Sequence, residues 1–294
     1  MEAFLQPLQG LAEFEEIKKR CSVNRGILNI SGCMESQKVH LMYGLSGLFP
    51  CHLILADDER SAKEIYEDYR FYDKNVYFYP AKDLLFFQAD IHGNLLIRQR
   101  MRVIRALLEQ EEVTVVTSID GCMDFLMPLE KIRSSLLHFK SDSVIDLEKL
   151  KADLVELGYE RVGQVELPGQ FSVRGGIIDI YPLTEENPWR IELWDDEIDS
   201  IRSFDAESQR SLENADEITI YPAVEKNDGK DMVSFLDYFP EEKLCCFWMS
   251  QTIWLRMARV LRRSIARAVC TGKKKVKLIF RSSGSAVFKK FRKN

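Results

Sequence analysis

The sequence lacks the residue spacings by which metal sites are recognised. Its seven cysteines include no C-x-x-C pair, and its four histidines lie far from one another along the chain. We therefore predict no metal site and expect reduced thiols in a cytosolic core. No stretch approaches the roughly 20 apolar residues of a membrane span, and the acidic, amphipathic N-terminus is unlike a signal peptide. These absences predict a cytoplasmic protein with no membrane partner.

A complete phosphate-binding loop is also missing. The stretch ISGCMESQKV follows the pattern G-x-x-x-x-G-K-[ST] only at Gly32 and Lys38. Gln37 stands where a glycine would let the backbone approach a phosphate, and Val39 offers no hydroxyl group to magnesium. No strand before residue 244 ends in the Asp-Glu pair that would hold the magnesium ion. We therefore expect no bound ATP, no other cofactor and no catalytic residue.

Charge is divided unevenly along the chain. The formal net charge is −5, yet residues 244–294 contain 14 Lys and Arg residues and no Asp or Glu. Residues 1–243 therefore hold 27 of the 41 basic residues and all 46 acidic residues, which gives them a net charge of −19. An acidic body disfavours binding to nucleic-acid phosphates, whereas the basic tail alone would favour it.

The first 118 residues alternate between apolar strands and amphipathic helices. Strands are predicted at 26–30, 52–56, 75–80 and 112–118, and helices at 2–20, 37–49, 57–72 and 95–110. In the last of these helices the arginines are expected to face outward. Apolar strands that alternate with helices indicate a mainly parallel sheet covered on both faces. We predict an α/β, P-loop-like domain with a degenerate loop over residues 1–118.

After residue 118 the chain becomes β-rich. A helix is predicted at 146–162, and strands within 169–182, 189–208 and 217–223. Turns are predicted at Gly175-Gly176 and at Asp195-Asp196. The pattern indicates an α+β domain with an antiparallel sheet over residues 119–222, and a segment at 223–243 that begins the return to the first domain.

One face of this predicted sheet is a candidate recognition surface. Alternation along WRIELW places Arg190, Glu192 and Trp194 on the same side of a strand. Contacts between guanidinium and carboxylate groups are common in protein recognition, although a merely solvated face has the same pattern. Acid-base catalysis by Asp195-Asp196 is disfavoured, because adjacent carboxylates in a turn point in different directions.

Two stretches of the β-rich part resemble a known family. GQFSVRGGIIDIYP and WRIELWDDEIDSIRSFDAESQRS resemble the N-terminal, UvrB-like module of the bacterial transcription-repair coupling factor (Mfd). Upstream stretches such as ADDERSAKEIYEDYRFY and VTVVTSIDGCMDFLMP occur in the family's order, so the resemblance covers about residues 1–243. It implies a first domain with the nucleotide fold of UvrB and a decayed ATP loop, and a second domain that binds UvrA.

The resemblance also implies which residues contact UvrA. The UvrB pattern has an arginine before the hairpin, then F-R-V-R-G, then R-[IV]-E. This chain matches it at Arg161, Arg174, Arg190 and Glu192. Ser172 departs from the pattern, because it stands where the first arginine of F-R-V-R-G would be. The implied function is non-catalytic recruitment of UvrA in transcription-coupled nucleotide excision repair. An RNA-polymerase-binding domain and a DNA translocase motor follow this module in the family. Binding to RNA polymerase and DNA, and the alternative function of ATP-dependent translocation, are implied for those absent domains.

Residues 244–294 depart from the family, which continues with a stretch like L-x-F-L-D-E-P. Read one base earlier, the codons for Cys245 to Trp254 permit L-L-F-L-D-E-P-N-H-L. We therefore predict a frameshift near Leu244, a truncated module and a first-domain sheet that lacks strands. On this interpretation the basic charge of the tail is accidental. The alternative is a basic helical arm around residues 253–261 that binds nucleic acid.

Overall fold

The structure, a computed structural model, describes residues 2–23, 27–82, 90–225, 232–239, 244–249 and 276–281. Its helices are α1 (Glu2–Gln9), α2 (Ala12–Val23), α3 (Glu35–Leu45), α4 (Glu59–Tyr69), α5 (Asp90–Glu109), α6 (Ile119–Cys122), α7 (Leu129–Ser134) and α8 (Leu147–Glu156). Its strands are β1 (Ile27–Ser31), β2 (Cys51–Ala56), β3 (Val76–Tyr79), β4 (Val113–Ser118), β5 (Phe125–Leu126), β6 (Leu137–Lys140), β7 (Glu160–Arg161), β8 (Gln170–Arg174), β9 (Ile177–Ile180), β10 (Trp189–Trp194), β11 (Glu197–Phe204), β12 (Ser211–Ala215), β13 (Glu217–Ile220), β14 (Val233–Ser234), β15 (Leu244–Trp248) and β16 (Val276–Arg281). Among the described helices, none has both the length and the apolar character that a bilayer crossing requires.

The chain divides into two compact units. The first unit comprises Met1–Lys82, Glu109–Phe125 and Val233–Asn294, and the second comprises Asp83–Leu108 and Leu126–Met232. The sequence predicts a helix at 95–110 within the first domain, whereas most of α5 belongs to the second unit. The predicted fold class is confirmed, because one unit contains a parallel sheet with helices and the other contains a mostly antiparallel sheet.

The first unit contains a six-stranded parallel sheet in the order β1-β16-β15-β2-β4-β3. Every residue of β2 and β4 is buried, as their continuous runs of apolar residues require of strands covered on both faces. The four strands predicted before residue 119 all form. The fold of this unit is therefore set by apolar runs that the sequence shows directly.

Two strands of this sheet come from residues after 243. Strand β15 pairs with β2, and β16 lies between β15 and β1. The sequence predicts that these residues form a tail and that the sheet lacks strands, whereas the described sheet has six strands. The stretch LCCFWM is apolar throughout, and that suffices for a buried strand whatever the origin of its reading frame. Residues 250–275, which include the predicted basic arm, lie outside the described residues.

Two of the predicted helices differ from those observed. The helix expected at 2–20 is divided into α1 and α2 at Gly10 and Leu11, because glycine disfavours a continuous helix. In α5 the arginines do not all face outward: Arg100 is buried and forms an ion pair with the buried carboxylate of Glu225. The Nη2 and Oε2 atoms of this pair are 3.1 Å apart. The burial of Arg100 is therefore possible because a distant acid neutralises it.

The second unit is built on a sheet in the order β12-β11-β10-β9-β8-β7. Its pairs are antiparallel except β7 with β8. The turns predicted at Gly175-Gly176 and Asp195-Asp196 are confirmed, since they connect β8 to β9 and β10 to β11. Gly175 and Asp195 have φ values of 60° and 61°, which tight turns of this kind require. The core face of the sheet holds fully buried apolar side chains: Phe171, Ile178, Ile180, Ile191 and Ile201.

Candidate protein-docking face

The face opposite this core carries charged side chains in cross-strand rows. We call it the polar face. It comprises Ser172, Asp179, Arg190 and Arg202 in one row, and Arg174, Ile177, Glu192 and Ser200 in the next. Because paired residues on adjacent strands point to the same side of a sheet, β8 to β11 bring these side chains together. The alternation predicted from the sequence thus places Arg174, Arg190 and Glu192 on one surface.

Asp179 is the centre of the first row. Its side chain is fully buried and accepts hydrogen bonds from two arginines. Arg190 donates from Nε to Oδ1 at 2.6 Å and from Nη2 to Oδ2 at 2.9 Å, and Arg174 donates from Nη2 to Oδ2 at 2.7 Å. The hydrogen bonds with Asp179 raise the pKa of Arg190 above its ordinary value. A buried carboxylate therefore fixes both guanidinium groups on the sheet.

Further contacts hold Arg190 and Glu192 in place. The guanidinium carbon of Arg190 lies 4.4 Å from the centre of the Phe204 ring, and its Nη2 donates to Oε1 of Gln209 at 3.1 Å. Glu192 accepts hydrogen bonds from Arg202 and, at 3.3 Å, from the hydroxyl group of Ser200. The polar face is therefore a pre-ordered network of charges, in which side chains lose little freedom when a partner binds.

The predicted contact residues differ in how accessible they are. The side chain of Arg174 is 47% exposed, whereas that of Arg190 is only 14% exposed. Arg161 is exposed on the edge strand β7 and forms no side-chain hydrogen bond or ion pair with the described residues. Its register partner is Phe171, a core residue, so Arg161 lies at the edge of the sheet and not within the polar rows.

Ser172 occupies the position where the UvrB pattern has an arginine. Its side chain is buried, and its hydroxyl group donates a hydrogen bond of 3.0 Å to the carbonyl oxygen of Gly163. The serine therefore ties β8 to the connection that precedes it. The polar face has one positive charge fewer than the pattern predicts.

Asp179, which organises the polar face, is not among the residues predicted from the sequence. It lies within the apolar stretch GIIDIYP, and it is the only acid of β9. The available signal for Asp179 was a single carboxylate at an alternate position of a strand, where the neighbouring strands carry arginines on the same side.

The degenerate phosphate loop connects β1 to α3, and its residues contact one another. The buried Lys38 places Nζ 2.6 Å from Oε1 of Glu35. The side chain of Gln37 accepts a hydrogen bond from the backbone N–H of Met34 at 2.9 Å, and Val39 is buried in the core. Gly32 has a φ of 89°. These residues form a strand-to-helix connection in which the lysine is already neutralised.

Comparison with known proteins identifies the β-rich part of the chain. Residues 137–225 match the UvrB interaction domain family. The chain is 38% identical over 211 residues to the transcription-repair-coupling factor of Bacillus subtilis (strain 168), a match that covers 67% of this chain and 18% of the relative. It is 36% identical over 163 residues to that of Staphylococcus aureus (strain USA300), covering 55% of this chain and 14% of the relative. The matched stretch thus spans less than a fifth of either relative.

These matches agree with the geometry described above. The polar face from Ser172 to Arg202, together with Arg161, lies entirely within the stretch that matches the domain family. The resemblance predicted from the sequence motifs is therefore confirmed. Residues 137–225 are a UvrB interaction domain, and the chain carries the UvrB-like, N-terminal module found in transcription-repair coupling factors.

Proposed function

We propose that the polar face captures UvrA, and that the chain serves transcription-coupled nucleotide excision repair as a non-catalytic, cytoplasmic recruitment module. The observation that carries the proposal is the position of the pre-ordered arginines inside the UvrB interaction domain. Contacts with RNA polymerase and DNA, and the translocation of DNA, are proposed for other parts of the coupling factors that this chain resembles.

Arg174 has the chemistry that such a docking contact requires. One of its N–H groups is bonded to Asp179, and a guanidinium group has five donors in a fixed plane. The half-exposed side chain therefore presents the remaining donors to solvent in a fixed orientation. A carboxylate of a partner can accept two of them at once.

Binding of nucleotide at the degenerate loop is not part of this proposal. Lys38 is buried and paired with Glu35, so a phosphate group would have to displace a carboxylate to reach it. Val39 has no oxygen to offer a metal ion. We propose that the loop serves only to connect β1 to α3.

The test is to reverse the charge of Arg174 and measure capture of purified UvrA by titration calorimetry. Arg174→Glu should weaken binding at least tenfold, which is about 1.4 kcal/mol, because the half-exposed side chain would lose the donors it offers a partner's carboxylate and would repel that carboxylate instead. Arg133→Glu is the matched control, since Arg133 is exposed on α7 and lies outside the stretch that matches the domain family. Equal affinity of all three proteins would contradict the proposal.

Arg190 is not suited to the same test. Its guanidinium group is bonded twice to the buried Asp179, so Arg190→Glu would place two carboxylates against each other. Removing one partner of a buried ion pair costs about 3–5 kcal/mol. A loss of UvrA binding by that variant would therefore report unfolding as well as docking.

A further inference from the structure

An exposed tryptophan continues the polar face beyond its second row. Trp194 is the last residue of β10, two positions after Glu192, and it is 80% exposed. It pairs with Glu197 on β11, and Glu197 is bridged on its other side to Val144, which is 69% exposed. With strands about 4.8 Å apart, Trp194 and Val144 flank Glu197 on the same side of the sheet. The end of the polar face therefore presents two apolar side chains to solvent.

Acidic side chains surround these two apolar residues. They belong to the β10–β11 turn, to the start of β11 and to the segment before α8, and all are exposed: Asp142, Asp195, Asp196, Glu197 and Asp199. Within the described part of the chain, none of the five forms an ion pair. We call these carboxylates, with Trp194 and Val144, the acidic tip. Unpaired charge around an exposed aromatic side chain is typical of the rim and centre of a docking surface.

The backbone of the acidic tip is held firmly. The N–H of Ile145 donates to the carbonyl oxygen of Asp196 at 2.8 Å, and the N–H of Asp142 donates to that of Ile198 at 2.9 Å. On the other side of the hairpin, the N–H of Leu193 donates to the carbonyl oxygen of Gly176 at 2.8 Å. Trp194 is therefore presented on a rigid support, and burying its ring against a partner would cost little conformational entropy.

We propose that Trp194 is the anchor of the docking face, and that it enters an apolar pocket on UvrA whose rim carries arginine or lysine side chains. This inference rests on the proposed function and deepens it. The positive rim is required because a partner that buries Trp194 must approach five exposed carboxylates that have no ion-pair partner among the described residues. The same charge disfavours a nucleic acid as the occupant, and it disfavours a second copy of this chain, which would bring two acidic tips together.

The first experiment measures UvrA affinity for the Trp194→Ala and Trp194→Phe variants. Trp194→Ala should weaken binding about 30-fold or more, as expected for an aromatic hot spot, while Trp194→Phe retains most of the affinity. Phe71→Ala is the matched control, because Phe71 is an aromatic residue of the first unit that is 79% exposed. An unchanged affinity of Trp194→Ala overturns the inference. If Trp194→Ala has no effect but Arg174→Glu weakens binding in the same series, the proposed function survives without the Trp194 anchor. If neither Trp194→Ala nor Arg174→Glu weakens binding, the proposed function and the inference about Trp194 are both wrong.

A second experiment tests the charge of the rim. The double variant Asp195→Asn, Asp196→Asn removes two charges, and asparagine tolerates the positive φ of Asp195. We expect its association rate with UvrA to be several-fold lower at low salt and equal to that of the parent chain in 0.5 M salt. A faster association, or a defect that salt does not remove, overturns the acidic tip as a steering surface.

A third measurement identifies what covers Trp194. The difference in tryptophan emission between the parent chain and Trp194→Phe reports this ring, and a collisional quencher reports its exposure. UvrA should protect the ring from quenching. Protection by DNA, or by raising the concentration of the chain alone, would assign the surface to a different occupant and overturn the inference.

Discussion

His52 lies on the central strand β2 with its ring buried in the first unit. The ring stacks on Phe247 of β15, with the two ring centres 6.0 Å apart. Its Nε2 atom is buried and finds no hydrogen-bond partner among the described residues. Burial disfavours the charged imidazolium and lowers the pKa of His52 from 6.5 to about 4. The residue is therefore neutral in the folded chain at pH 7 and resists protonation in mild acid.

We expect the free energy of unfolding of the first unit to fall as the pH drops from about 6.5 to about 4. In this window the unfolded chain binds a proton at His52 and the folded chain does not, so acid favours unfolding. At about 1.4 kcal/mol for each pKa unit, the loss approaches about 3 kcal/mol at the acid end. Urea unfolding of the intact chain across this pH range measures it.

The control for this prediction is His52→Phe. Phenylalanine keeps an aromatic ring against Phe247 and removes the titratable group. The variant should lose less stability in acid than the parent chain. The difference between the two losses is the contribution of His52, separated from that of the carboxylates that also titrate in this pH range. Parallel pH profiles for the two proteins would show that His52 does not titrate in the way its burial predicts.

At the scale of the element, the hairpin between β8 and β9 depends on one glycine. Gly175 has a φ of 60°, and a Cβ atom added there would meet no atom within 4 Å. Any cost of a side chain at this position is therefore backbone strain and not steric overlap. Because the turn positions Arg174 beside Ile177, this strain would act on the polar face.

Gly175→Ala should destabilise the second unit by about 1–2 kcal/mol, the cost of the left-handed conformation for a residue with a Cβ atom. Gly175→Asn should cost less, because asparagine adopts this conformation more readily. Gly163→Ala is the control, since that site is also open and lacks a positive φ. Urea unfolding followed by circular dichroism measures all three variants. A loss in Gly163→Ala as large as that in Gly175→Ala would contradict the strain argument.

The sequence predicts well those elements whose pattern lies within a few consecutive residues. The strands β1 to β4 are short apolar runs, and the turns at 175–176 and 195–196 carry residues that accept a positive φ. The burial of Arg100 could not be predicted in this way. Its partner Glu225 is 125 residues away, and periodicity along α5 assigns an arginine to the outer face. Asp179 was missed for a related reason, because its partners come from neighbouring strands.

At the scale of the whole molecule, the sheet of the first unit depends on residues distant in sequence. Strand β16 pairs with β1 in the sheet, and β15 lies between β16 and β2. Cys245, Phe247 and Trp248 of β15 are all buried. The motifs that carry the family resemblance end before these strands, so the resemblance does not predict that residues after 243 complete the sheet. The frameshift near Leu244 stays a prediction, which the coding DNA after that residue would test.

Ending the chain after residue 243 should unfold the first unit and leave the second unit folded. Truncating each buried aromatic residue alone costs about 3–5 kcal/mol, and the loss of two strands therefore exceeds the stability of a typical domain, about 5–15 kcal/mol in all. Hydrogen exchange should show β1 and β2 deprotected, while β9 and β10 keep their protection. A chain ending after residue 281 is the control, because it retains both β15 and β16. If β2 stays protected in the shorter chain, the two strands do not hold the sheet together.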